Sequence, residues 1–163
     1  MSLYTQAELD AIRAKLKRRI AVAVVPAVVI LAAAVGVFVW GRMQRSDTLW
    51  MLTAALTVLG GGYFLFLFGV YVRPAWVYRT HVNYMLHGRM RTTTGVLKSI
   101  SPNLSDHDGL ECHALMLNIG DRDDPEDDRL FYYDALKPAL TYPLGMRVTV
   151  LSNDKLISSI EPA

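Results

Sequence analysis

Only one cysteine, Cys112, occurs in 163 residues, so neither an internal disulfide nor the thiolate set of a structural zinc site can be built from this chain. A glycine-rich phosphate loop, a serine elbow and a zinc-protease helix are missing as well. With 52% hydrophobic and 20% charged residues and a mean hydropathy of +0.24, the composition excludes intrinsic disorder. Charge is scarcest in one region. From residue 20 to residue 72 the charged side chains are Arg42, Arg45 and Asp47, and these sit together. Two long uncharged stretches around one short polar loop argue against a purely soluble globular protein.

Residues 20–40 read IAVAVVPAVVILAAAVGVFVW, 21 residues, which as a helix of about 1.5 Å rise per residue cover the roughly 30 Å hydrocarbon layer of a bilayer. Residues 49–72 read LWMLTAALTVLGGGYFLFLFGVYV, 24 residues that span with some tilt. Eight residues, 41–48, join them. The sequence therefore predicts a membrane α-helical hairpin over 20–72, with the lipid bilayer as its surroundings. Lys and Arg gather on cytoplasmic flanks. Arg13, Lys15, Lys17, Arg18 and Arg19 precede the first span and Arg73, Arg79, Arg89 and Arg91 follow the second, against Arg42 and Arg45 between them. Both termini are thus expected to be cytoplasmic, in the plasma (inner) membrane of a bacterial-type cell. Trp40 and Trp50 mark one interface; Tyr71, Trp76 and Tyr78 mark the other. A cleaved signal peptide shares the basic region and the alanines 32–34, but here the apolar run continues to Trp40 and 19 residues precede it. Pro26 and the glycines 60–62 are also found in the broken helices of transporters. Without an intramembrane Asp, Glu, Lys, Arg or His, close packing is the better use of them.

Small residues mark a packing seam. Thr53, Thr57 and Gly61 recur every four residues, and Ala55, Gly62 and Gly69 every seven; Ala23 with Ala27 and Ala32 with Gly36 offer similar spacing on the first span. In lipid, helices associate by close van der Waals approach, which small side chains permit. These positions are expected to pack within the hairpin or to serve a homo-oligomer or a larger membrane protein partner.

Thr5 and Glu8 have capping-box spacing, and Leu9, Ile12, Leu16 and Ile20 follow at helical intervals. An amphipathic helix over 1–19 is expected to run into the first span. Its basic residues, offset by Glu8 and Asp10, read as a topogenic flank ahead of an anionic-lipid site. A helical stem is predicted over 73–89, carrying Tyr78, Val82, Met85 and Leu86 on one face and Arg79, Asn83 and His87 on another, with Gly88 to stop it. His81 and His87 are six apart, do not share a face as metal ligands, and read as surface histidines.

From residue 90 the period becomes strand-like. Strands are predicted over 91–100, 110–119, 129–133, 147–151 and 155–160, with turn chemistry over 101–108, an acidic loop over 120–128 and a short helix over 134–140. A domain over 90–163 is small for independent folding, and closing the sheet removes its edges. The element order predicts an all-β cytoplasmic domain, a five-stranded OB-like barrel with an SH3-like barrel as the alternative. Residues 145–150 (GMRVTV) and 157–161, within 142–162, resemble at the level of architecture the NfeD-type membrane proteins. In those proteins a small OB-fold domain follows transmembrane helices.

OB-like barrels often bind single-stranded nucleic acid, but from Thr92 onward six cations face twelve carboxylates, and that balance repels phosphate. Phe131, Tyr132 and Tyr133 alternate faces on a strand, so at least one belongs in the core. The acidic loop 121–128 lacks the ligand register and central glycine of an EF-hand and reads as a solvated turn or a contact for a basic partner. Cys112 and His113 point to opposite faces of a strand and do not form a nucleophile–base pair. With no catalytic residues, cofactor or metal site indicated, the sequence points to a membrane-anchored, non-enzymatic scaffold or interaction protein. An accessory subunit of a transporter or membrane enzyme, and a metal- or ligand-sensing barrel, are the alternatives.

Overall fold

The computed structural model describes residues 3–120 and 124–163. The chain forms two compact units, one of Met1–Asp10 with Val77–Ala163 and one of Ala11–Trp76. The helices are α1 (Gln6–Gln44), α2 (Asp47–Leu67), a π-helical turn (Phe68–Val72) and α3 (Arg73–His87). The strands are β1 (Arg91–His107), β2 (Leu110–Asn118), β3 (Asp128–Asp134), β4 (Arg147–Asn153) and β5 (Leu156–Pro162), with a short 3-10 turn at Pro125–Asp127 before β3.

Gln6–Gln44 and Asp47–His87 each contain a stretch long and apolar enough to cross a membrane. The eight-residue connection expected between them is only two residues long, Arg45 and Ser46, because residues 41–44 continue α1 and α2 starts at Asp47. Arg45 turns the chain with a φ of 48°. Within the helical unit, contacts run from Gly41 with Leu49, through Ile30 with Gly60, to Val22 with Tyr63 and Arg19 with Tyr71, so the two helices are antiparallel. A Cβ at Gly60 would lie 3.0 Å from Ile30 Cγ2 and 3.3 Å from Leu31, so the helices approach there because a side chain is missing. Ala23, Ala27 and Ala34 are buried on α1.

Both prolines in the helices leave an unpaired carbonyl one turn back, and the chain answers each differently. Pro26 has no N–H to give the Val22 carbonyl, and the Tyr63 hydroxyl donates to that oxygen at 2.9 Å. At Pro74 the preceding turn widens to π geometry, with Arg73 N–H donating to the Phe68 carbonyl. The stem therefore does not start afresh beyond Pro74, as the sequence suggests, but continues from α2 through this turn.

In the β unit the strand order β1-β2-β3-β5-β4 closes on itself, since β4 also pairs antiparallel with β1. The β3–β5 pairing is parallel, at Tyr132 and Leu156, which makes the sheet mixed. β1 is longer than expected. Residues 101–107, read as a turn, belong to it, and the register shift between Ile100 and Leu104 lets residues 101–103, including Pro102, leave the ladder without ending the strand. The tip of the β1–β2 hairpin is Asp108-Gly109, both at positive φ (55° and 79°), the residue pair that suits a two-residue turn. The helix expected over 134–140 is absent. Asp134 Oδ1 accepts from Leu136 N–H at 2.8 Å and its carbonyl from Lys137 N–H at 3.1 Å, a turn that Pro138 cannot extend into a helix. Leu97, Leu115, Leu117, Phe131, Val148, Val150 and Ile157 form the core inside the strands, and Tyr133 joins them with its hydroxyl on the Pro138 carbonyl.

Candidate functional site

The densest polar constellation lies in the β unit, where side chains far apart in sequence meet. Thr5 caps α1 by accepting from Glu8 N–H at 3.2 Å, as the capping-box spacing predicts. Just before it, Leu3 N–H donates to the Ser158 carbonyl on β5 at 3.0 Å, and Tyr4 is buried. The Tyr4 hydroxyl meets His81 Nε2 at 2.8 Å and donates to Asp134 Oδ2 at 3.2 Å. Tyr78, one turn before His81 on α3, places its hydroxyl 3.2 Å from both Glu8 Oε1 and Asp134 Oδ2. Lys137 Nζ donates to both Glu8 oxygens at 2.6 and 2.7 Å and lies 4.2 Å from the centre of the Tyr4 ring.

Proton bookkeeping defines the electrostatics. Tyr4 has one hydroxyl proton, and giving it to Asp134 requires His81 to donate from Nε2 to the Tyr4 oxygen. The pKa of His81 is lowered from 6.5 chiefly by burial, with Lys137 adding to the effect and Asp134 and Glu8 opposing it. Burial likewise raises the Tyr4 and Tyr78 hydroxyls, with Asp134 the next contribution. Tyr78 has a single proton between two carboxylates, so Glu8 and Asp134 share it. Among the described residues no buried side-chain polar atom is without a hydrogen-bond partner. Tyr4, His81 and Asp134 are buried at 2%, 5% and 2% exposure, while Glu8, Tyr78 and Lys137 are half-buried; the group fastens the amino-terminal segment and α3 to β3.

His81 is accordingly not a surface histidine as its sequence position suggests; it shares the buried face of α3 with Val82 and Met85, whereas His87 is exposed. Cys112 sits opposite Asp134 across β2 and β3 and is buried, its thiol pushed up to about 11 by burial and then by Asp134 and Asp106, so it is a poor nucleophile. His113 is half-buried with Nδ1 at the Ser101 carbonyl, apart from Cys112. Phe131 and Tyr133 enter the core, and Tyr132 stacks on His107 at 4.1 Å. Of the acidic loop, Asp121, Arg122 and Asp123 lie outside the described residues. Asp128 accepts from Asn118 at 2.8 Å and from Lys98 at 3.2 Å, and these bonds, Asn118 first, hold its carboxyl below the ordinary value. Among the described residues no group of three His, Cys, Asp or Glu side chains is placed to hold a metal ion. An open groove of about 420 Å³ beside β3 has Arg91, Arg129 and Lys155 against Asp128 and Asp154, a mixed rather than basic lining.

The small-residue positions on α2 divide. Thr53 is half-buried and Thr57 exposed; Thr53 donates its hydroxyl to the Leu49 carbonyl and Thr57 to the Thr53 carbonyl, both at 2.9 Å. Ala55 is exposed. Gly61, Gly62 and Gly69 have nothing among the described residues within 4 Å of where a Cβ would stand. The close approach inside the hairpin is made instead by Gly60, the neighbour that the four-residue spacing from Thr53 passes over.

No local spacing points to the Tyr4–Glu8–Tyr78–His81–Asp134–Lys137 group, whose members lie up to 133 positions apart, from Tyr4 to Lys137. Its one local trace is His81 beside Val82 and four residues before Met85. The chain matches no family model, no curated protein and no solved structure, so none of these comparisons supports the resemblance to the NfeD-type proteins.

Proposed function

We propose that the chain is a membrane-anchored, non-enzymatic scaffold that presents a small acidic OB-like barrel at the cytoplasmic face of the plasma (inner) membrane for contact with other proteins. The observation that carries the anchoring is the outer surface of the helical unit. Val25, Val29, Val58, Leu65 and Phe66 are 58–74% exposed there, an apolar surface that water would not tolerate and lipid would. The OB-like reading rests on the closed order β1-β2-β3-β5-β4 with β1 shared between β2 and β4. The orientation, with both termini inside, rests on the Lys and Arg count. The contact role rests on charge: residues 1–91 hold eleven cations and three carboxylates, residues 92–163 six cations and twelve carboxylates. A net-negative barrel suits a basic protein partner and disfavours nucleic acid.

Solubilisation in mild detergent followed by size-exclusion chromatography tests the role. A stoichiometric partner or a self-association is expected; a chain that runs alone as a monomer contradicts it. Protease added outside intact spheroplasts should leave residues 90–163 uncut, and digestion from outside reverses the orientation.

The open positions at Gly61, Gly62 and Gly69 favour a second reading, an accessory subunit docked against a larger membrane protein. Gly61→Leu with Gly62→Leu should then release that partner while the β unit stays folded. Association that survives the change removes this reading.

A further inference from the structure

One end of the helical unit is rich in cations, with Glu8 and Asp10 preceding it on α1. Arg13, Lys15, Lys17, Arg18, Arg19 and Arg73 lie there, and residues 11–46 and 48–76 contain no carboxylate at all. The end is held together by Leu16, Ala23 and Val72, buried against one another with Ile20, Leu67 and Ala75 packed on them, so residues 16–20 of α1 lie beside residues 71–75. Arg19 is fixed in place. It donates to the Tyr71 carbonyl at 3.2 Å, within the widened turn before Pro74, and its guanidinium lies 4.6 Å from the centre of the Tyr71 ring. Lys15, Lys17, Arg18 and Arg73 are exposed around it, as are the aromatic rings of Tyr71 and Trp76, side chains that favour the headgroup level of a bilayer. A topogenic flank needs positive charge only in number. Here one cation is instead preorganised by a ring and a carbonyl, which lowers the ordering cost of binding an anion beside it.

We propose that this end of the hairpin, centred on Arg19 and Arg73 and bordered by Tyr71 and Trp76, binds the phosphate headgroups of anionic phospholipids in the cytoplasmic leaflet. The inference rests on the membrane reading above. The occupant follows from charge complementarity and from continuity with the apolar surface: a lipid anion brings its acyl chains onto the exposed valines and leucines, which a soluble anion cannot do.

The full-length protein in non-ionic detergent, exposed to equal amounts of phosphatidylglycerol and phosphatidylcholine and examined by native mass spectrometry, gives the test. Phosphatidylglycerol should be retained preferentially, and Arg19→Gln with Arg73→Gln should reduce that preference on the order of tenfold. Arg42→Gln with Arg45→Gln, at the opposite end, should leave it unchanged. Equal retention of the two lipids, or equal loss in both variants, overturns the proposal. Displacement by inorganic phosphate beyond that caused by chloride at the same ionic strength overturns it in favour of a free-phosphate site. Carbonate extraction of membranes from the expressing cells separates the two readings. A chain released by carbonate defeats the membrane reading and this one together, whereas a retained chain without lipid preference defeats this one alone.

Discussion

The two units of this chain put the same apolar side chains to opposite uses. In the β unit, Leu97, Leu115, Leu117, Val148 and Val150 are sealed inside the closed sheet at 0% exposure. In the helical unit, Val29, Val58 and Leu65 point outward, and the contact between helices is made by Ala23, Ala27, Ala34, Gly41 and Gly60. Water drives large apolar groups inward and leaves small ones to choice. On the proposed membrane reading, lipid removes that drive, so small residues take the interface and large ones face the hydrocarbon. The polar groups reverse as well. The β unit gathers Tyr4, Tyr78, His81 and Asp134 into a closed hydrogen-bonded group, whereas the helical unit spends Tyr63 on the one carbonyl that Pro26 leaves open.

Truncation gives the largest contrast. Leu117→Ala should destabilise the β unit by about 2–5 kcal/mol through the lost transfer energy and the cavity left behind. Val58→Ala on the outer face of α2 should change stability by less than about 0.5 kcal/mol. Unfolding of the full-length protein in detergent, followed by amide exchange resolved to strand and helix peptides, measures both. Equal effects would erase the distinction between the units.

Next in size is the buried polar group. Tyr4→Phe leaves His81 Nε2 and one Asp134 contact without a partner and should cost about 1–3 kcal/mol, read as a lower unfolding midpoint and faster proteolysis of the amino-terminal segment. The same group sets a pH window. His81 has a lowered pKa when folded, so the unfolded chain binds its proton first, and stability should fall as pH drops below 6.5. Cys112 is raised from 9.0 to about 11, and Tyr4 and Tyr78 are raised above 10.0, so stability should also fall as pH rises through 9 to 11 and beyond. Unfolding midpoints measured from pH 5 to 11 should trace a plateau with both flanks; His81→Gln should flatten the acid flank, and an unchanged flank in that variant contradicts the role given to His81.

Overpacking sharpens the comparison from the helical side. Gly60→Leu must displace Ile30 and Leu31 and should cost about 1–3 kcal/mol, while Gly61→Leu, one residue on, should leave the hairpin intact. Crosslinking between cysteines placed on α1 and α2, in a Cys112→Ser background, reads the difference. The smallest effect is expected from Tyr63→Phe. It removes one interhelical hydrogen bond, worth about 0.6 kcal/mol on average in lipid, and shows as a slight rise in amide exchange around Val22 and Pro26.

The features legible in the sequence are those carried by local composition and period. The two long uncharged apolar runs make both helices stand out by inspection, and the strand period after residue 90 follows from a sheet with one face inside. The strand ends and connections were harder to read because the deciding partner is remote. Residues 41–44 look like a polar loop yet extend α1. Pro74 looks like a break, but the π turn absorbs it. Pro102 and Asn103 look like a turn, but β1 runs past them because β2 continues to pair on the far side. At Asp134 the predicted helix gives way to a turn because the Asp134 side chain caps Leu136 locally while its other oxygen serves Tyr4 and Tyr78. The candidate site was the least legible part, for it exists only where the amino-terminal segment, α3 and β3 meet, and no local spacing encodes that meeting.

Nitroxide labels introduced at Val29, Val58, Leu136 and Leu144 of the full-length protein in liposomes, in a Cys112→Ser background, test immersion in hydrocarbon directly. Collisions with oxygen should dominate at 29 and 58, and collisions with a water-soluble nickel chelate at 136 and 144, where the side chains are exposed on the β unit. Free access of the nickel chelate to 29 and 58 would mean that the apolar helices stand in water, and the membrane anchoring would be wrong.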